Sequence, residues 1–183
     1  MSSKSKNKGK GYERQVAHFL SDLYQESFVR VPNSGAYVGG ANAVRTQNLS
    51  EEQTRAFKGD IIPGPSFKKL VVECKNYADF PFHKLAFNLQ IKQLDDWIQQ
   101  SKDCCQDGDF WILCVKITNK ISFVLWDNDI CTIPYTLEYG GWPKDSDGED
   151  DYTPQYAVRE FNDFWENEGG ESVKEFNADK YDT

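Results

Sequence analysis

The chain has 183 residues, 39% of them hydrophobic, which suffices for one domain with a proper core and falls short of two. Its net charge of −8 counts against nucleic-acid partners, but the acidity is local: residues 1–135 hold 17 Lys/Arg against 15 Asp/Glu, residues 136–183 hold 4 against 14. No apolar stretch nears the roughly 20 residues of a membrane span, the Lys/Ser/Gly-rich start lacks a signal peptide's apolar run, and five cysteines without a Cys-x-x-Cys pair beside only two histidines speak against disulfides, structural zinc and histidine-based catalysis, so a soluble, cytoplasmic protein without membrane contacts is expected.

Lys4, Lys6, Lys8 and Lys10 predict a flexible basic arm over 1–10, suited to phosphate contacts or serving only as a solubilising tail. From Gly11 to Leu23, Val16, Phe19, Leu20 and Leu23 fall at offsets 0, 3, 4 and 7, the period of an amphipathic helix. Glu13 sits at the edge of that stripe and faces the core, either as an acid complementing the helix dipole or as part of a metal site. His18 reads as a partly buried helix residue and His83 as a residue near a helix start. Phe28 to Val31 predict a short strand ended by Pro32, leading through Ser34 and Gly35 into a long loop over 36–57 that carries Tyr37 and Arg45. Inside the loop, Ser50 as N-cap with Gln53 three residues on predicts a short lid helix.

Lys58-Gly59-Asp60-Ile61-Ile62 and Leu70-Val71-Val72-Glu73-Cys74-Lys75 read as two apolar strands with Pro63-Gly64-Pro65-Ser66 turning the chain between them. That brings two carboxylates, Asp60 and Glu73, to one sheet end. Alternation with period 2 puts Glu73 and Lys75 on one face and Cys74 on the other. Magnesium is a hard cation usually held by one or two carboxylates plus substrate phosphate oxygens, and an adjacent lysine can orient a nucleophile or meet developing negative charge. The bland reading keeps Asp60 as a turn cap and Glu73 and Lys75 as a surface ion pair. Against it, Val71, Val72, Ile61 and Ile62 mark buried strands, where an unpaired charge is costly.

A helix is predicted from about His83 to Lys102, with Phe87, Ile91, Leu94 and Ile98 as its buried stripe and Gln90, Gln93 and Trp97 as a second one. Residues 110–117 and 121–126, joined by Thr118-Asn119-Lys120, predict a β-hairpin. The order helix, three strands, helix, two strands predicts an α/β domain with a mixed central sheet flanked by helices. Beyond it, Thr153-Pro154 with Val158, Phe161 and Trp165 at offsets 0, 3 and 7 predicts a short helix in an acidic C-terminal extension over 136–183. That extension either solubilises the chain or competes with DNA or recruits a protein partner.

The joint order of a first-helix glutamate, Arg30-Val31 running into Ser34-Gly35, Gly59-Asp60 and Glu73-Cys74-Lys75 resembles the PD-(D/E)xK nuclease superfamily, and within it the archaeal-type Holliday junction resolvases and their phage-encoded relatives. The resemblance spans about residues 9–127 and implies a restriction-endonuclease-like core in αβββαβ order, with a basic arm over 1–10, a nuclease domain over 11–135 and the extension over 136–183. It implies catalysis by Glu13, Asp60, Glu73 and Lys75, with Glu13, Asp60 and Glu73 on Mg2+ or on Mn2+ in its place. Ser34 and Gln93 would support the site, and Lys8, Lys10, Arg30, Arg45 and Lys58 would contact DNA. The implied activity is hydrolysis of phosphodiester bonds in four-way or other branched DNA by a homodimer, whose two-fold symmetry matches a two-fold junction. Two departures are plain: Gly59 stands where the superfamily's proline would precede Asp60, and the 36–57 connection is longer than in compact resolvases. A restriction-like endonuclease that reads bases with that loop, a non-cleaving branch-binding protein and a DNA mimic acting through the acidic tail are the alternatives.

Overall fold

The computed structural model describes residues 3–32, 58–131, 133–134, 136–140 and 155–178. The elements are α1 (Ser3–Tyr24), β1 (Val29–Arg30), β2 (Ile61–Ile62), β3 (Leu70–Tyr77), α2 (Phe82–Ala86), α3 (Lys92–Asp103), β4 (Phe110–Ile117), β5 (Ile121–Asp127), β6 (Leu137–Tyr139), β7 (Tyr156–Glu160), α4 (Phe161–Trp165) and α5 (Glu168–Ala178). Seven strands form one mixed sheet in the order β1-β2-β3-β4-β5-β7-β6, the restriction-endonuclease-like arrangement with helices on both faces. Only β3 and β4 run parallel among these neighbours. A parallel pair needs a long crossover, and residues 78–109 supply it with α2 and α3.

Alternation along β3 and β4 divides the core between the two faces. Val72, Cys74, Ile112 and Cys114 pack with Tyr12, Val16 and Leu20 of α1 and with Phe161, Phe164 and Trp165 of α4. Val71, Trp111, Leu113 and Val115 pack on the other face with Leu94, Trp97 and Ile98 of α3. The hairpin between β4 and β5 forms as expected, with Ile117 opposite Ile121 and Asn119 taking the positive φ (59°) that the turn requires.

Four expectations differ from the structure. Helix α1 begins at Ser3, so the first basic residues extend a helix rather than a flexible arm, and His18 is exposed on it. The single helix over 83–102 is two: Asn88 turns the chain with φ 47°, exchanges hydrogen bonds with the backbone of Gly140 (3.1 and 3.2 Å), and leaves Phe87 76% exposed. Val158 lies in a strand rather than a helix, because β7 is an interior strand whose Val158 faces both Leu125 and Leu137 and whose ladder is filled on both sides. Helix formation starts only at Phe161, where the Glu160 side chain caps the helix by accepting from the Asp163 N–H (2.9 Å). Residues 155–178 therefore complete the core. Trp126 meets Phe164 at 4.6 Å, the Tyr24 hydroxyl donates to the Gly170 carbonyl (2.8 Å), and the Lys69 N–H donates to Asn177 Oδ1 (3.1 Å). Among the described residues no helix is long and apolar enough to cross a membrane.

Candidate active site

Asp60 stands immediately before β2 and is fixed by backbone on both sides. Its N–H donates to the Val72 carbonyl (2.8 Å) and its carbonyl accepts from the Val31 N–H (2.9 Å). Gly59 makes this approach possible: its φ is +65°, and a Cβ there would lie 2.6 Å from the Val72 oxygen. The residue that replaces the superfamily's proline is thus required by the path of the chain. The Asp60 side chain turns toward β3, where Oδ2 accepts from the Cys74 N–H (2.9 Å).

Glu73, 2% exposed, is the most deeply buried acid at the site. Its Oε2 accepts from Lys75 Nζ and from Gln100 Nε2, both at 3.2 Å, while the Cys104 thiol donates to Oε1 at 3.5 Å. Gln100 Oε1 accepts from Lys75 Nζ at 2.8 Å, so one amide joins the lysine to the glutamate. Burial, and next the charge of Asp60, push the Glu73 carboxyl up to about 7, with Lys75 and Cys104 pulling the other way. Cys104, on the residue closing α3, is itself pushed up to about 12 by burial and by Glu73, and it acts as a protonated donor.

Glu13 stands on α1 beside the pair. Burial and Asp60 raise its carboxyl, and Arg30 of β1, whose Nε donates to Glu13 Oε2, lowers it. The charge of Asp60 thus reaches both glutamates. Asp60 and Glu73 offer hard oxygen donors, carry more negative charge than the single Lys75 beside them offsets, and fit a divalent cation that keeps waters and substrate oxygens as its other ligands. Oε2 of Glu13 is taken up by Arg30, and among the described residues no three His, Cys, Asp or Glu side chains are grouped to hold a metal.

The structure brings Asp60, Glu73 and Lys75 together with Glu13 at their edge. Ser34 and Arg45, the 36–57 loop with its lid helix, Thr153-Pro154 and most of the acidic run after Gly140 lie outside the described residues. Gln93 is half-buried in the first turn of α3, and no hydrogen bond joins it to the acids. Gln100, seven residues on along the same stripe, does that, and the 93–97–100 spacing was the available signal. Arg30 and Lys58, expected on DNA, each meet a carboxylate: Arg30 that of Glu13, and Lys58 that of Asp109 at 2.5 Å in a pair whose side chains are 10% and 7% exposed. Nothing local in the sequence marked Cys104 or the Lys58–Asp109 pair, because both depend on where the turn after α3 packs. Lys8 and Lys10 are exposed.

No curated protein and no solved structure matches the chain. A family model described as "Phage putative PDDEXK endonuclease" matches residues 4–140, well over half of the sequence, and the chain belongs to that PD-(D/E)xK endonuclease family.

Proposed function

We propose that the protein hydrolyses DNA phosphodiester bonds in a reaction that depends on Mg2+, with Mn2+ able to take its place, and that its substrate is branched DNA, foremost the four-way junction. The observation that carries the chemistry is the buried pair Asp60 and Glu73, with Lys75 Nζ 3.2 Å from Glu73, at one end of two antiparallel strands. The choice of substrate is supported by the likeness of motif order to junction resolvases, which cut two symmetric strands and for which a homodimer is the matching assembly.

Asp60 and Glu73 would hold the cation, which when bound supplies charge neutralisation at the phosphate and a more acidic water. Asp60 presents its Oδ1 while the Cys74 N–H fixes its Oδ2. Lys75, steadied by Gln100 and Glu73, orients the attacking water and faces the charge that grows on the phosphoryl oxygens. Glu13, oriented by Arg30, takes part through water. The attacking water loses a proton to solvent as its oxygen forms a bond to phosphorus, the opposite P–O ester bond breaks, and the departing sugar oxygen takes a proton from solvent.

The test is cleavage of a labelled four-way junction, a linear duplex and a single strand, with and without Mg2+, by the protein and by Glu73→Ala. Paired symmetric nicks in the junction, lost in the variant and without metal, are expected. Cutting of linear duplex at defined sequences would replace this reading with a restriction-like one. Binding without cutting would replace it with a branch-binding accessory role.

A further inference from the structure

Strand β2 covers β3 only through Ile61 opposite Val72, so among the described residues the edge of β3 over 75–77 that faces away from β4 carries no strand. Lys75 of the candidate site stands at the start of this edge. On the α1 side of the sheet just past it, Asn76 donates from Nδ2 to the Lys8 carbonyl (3.2 Å) and accepts at Oδ1 from Thr118 (3.1 Å), which fastens the start of α1 to the ends of β3 and β4. Lys116 stands in register with Asn76, with its Nζ 5.5 Å from the centre of the Tyr12 ring and donating to Gln15 Oε1 at 2.8 Å. Lys10 lies one turn before Glu13 and close enough for its charge to act on that carboxyl.

Among the described residues, the other cations of the site are already spent, Arg30 on Glu13, Lys58 on Asp109 and Lys75 on Glu73. Lys8, Lys10 and Lys116 form no ion pair among the described residues. Lys116 is instead held by an aromatic face and an amide, which fix its position and leave its charge uncompensated. Nearby acids have other partners: Asp79 pairs with Lys120 (2.6 Å), and Glu160 caps α4.

We infer that Lys8, Lys10 and Lys116 form a track for the phosphate backbone of the DNA duplex flanking the bond to be cut. The track rests on the proposed nuclease reading and names where its substrate lies. Asn76 is three residues beyond Glu73 and on the opposite face of β3, roughly 10 Å along the strand, or about three base pairs of duplex at roughly 3.4 Å each, so the duplex would straddle the sheet edge. The contacts would be to backbone and would position the duplex without reading its sequence.

The experiment is binding of the full chain to a fluorescent linear duplex and a four-way junction in EDTA, titrated across salt concentration. Each lost phosphate contact flattens the slope of log affinity against log salt by about 0.9. Lys8→Gln/Lys10→Gln/Lys116→Gln should therefore lower it by about 2.7 and weaken binding roughly 500-fold at 0.1 M salt. The matching triple Arg variant should keep the slope, and Lys68→Gln/Lys84→Gln/Lys174→Gln, on exposed lysines elsewhere, should also keep it. An unchanged slope in the track variant, an equal loss in the control, or a loss persisting in the Arg variant would overturn the track. In Mg2+, cleavage by the track variant should show a raised KM with kcat retained. A wild type that binds with a steep salt slope but never cuts would sink the nuclease reading while leaving the track standing, and a wild type without salt-dependent binding would sink the track.

Discussion

Glu73→Gln is expected to stabilise the metal-free protein at alkaline pH while abolishing cleavage. The Glu73 carboxyl moves from 4.5 to about 7 on folding, and with 1.36 kcal/mol per pKa unit the charged form costs the native state roughly 3 kcal/mol. The sign follows from the direction of the shift. Below about 4.5 the carboxyl is protonated in both states and its contribution is fully present. Between 4.5 and about 7 the folded protein keeps a proton that the unfolded chain releases, so stability falls as pH rises, and above about 7 the whole cost is felt. Glutamine preserves shape and an acceptor for Lys75 but cannot ionise. At pH 8 in EDTA the variant should melt about 6–12 °C above the wild type, at about 2–4 °C per kcal/mol for a chain of this size, and at pH 4 the two should nearly coincide. Adding Mg2+ should raise the wild-type melting temperature, by about 2.7 kcal/mol of stability at a hundredfold excess over Kd, and should move the variant less. Circular-dichroism melts over pH 4 to 8 decide the matter. A variant less stable than the wild type throughout, or a difference independent of pH, would refute the account of Glu73 as a strained acid awaiting a cation.

Three further outcomes follow from the geometry. Gln100→Ala should lower kcat about 10- to 100-fold by releasing Lys75, as loss of an orienting partner does at metal sites, while Gln93→Ala leaves it unchanged; steady-state cleavage kinetics separate the two. Lys58→Met should cost about 3–5 kcal/mol by leaving the Asp109 carboxylate buried and unpaired, and Lys58→Asp with Asp109→Lys should recover part of it, both read by urea unfolding. Gly59→Ala should destabilise by at least about 1–2 kcal/mol for its positive φ and, because its Cβ would press on the Val72 oxygen, should cut activity further than the stability loss explains, measured well below the melting temperature.

What could be read from the sequence was whatever a short period or adjacent residues determine. The strands at 61–62 and 70–77 and the hairpin followed from apolar runs with turn residues between them, and alternation alone set Glu73 and Lys75 apart from Cys74. Val16 and Leu20 were found by helical spacing, yet Tyr12, 4% exposed and one turn earlier, was not, because the helix starts thirteen residues before the stripe does. The break at Asn88 was hidden for a different reason. Phe87 continues an apolar period, and the clasp to Gly140 that holds the turn comes from 52 residues away. The strand at 156–160 was misread as helix because Val158, Phe161 and Trp165 match a helical stripe, while the two neighbouring strands that claim Val158 are remote in sequence.

The charge balance of the site explains why metal and substrate should bind as a pair. The charge of Asp60 reaches both glutamates, and among the described residues two cations form ion pairs with these acids, Arg30 with Glu13 and Lys75 with Glu73. Asp60, whose charge raises both glutamates, has no ion-pair partner among the described residues and rests on a single N–H from Cys74. The three ionised carboxylates and their two ion-pair partners therefore sum to one negative charge in a place largely shielded from water, which is costly. A dication alone would turn that excess into a net positive charge, and a phosphodiester alone would double it. Only the two together bring the sum to zero. Each should thus bind more tightly in the presence of the other, by the same factor, since coupling between two ligands is reciprocal. The same arithmetic gives the lone Asp60 its purpose. Pairing it with a third cation would stabilise the free protein and remove the charge that makes the site want its metal.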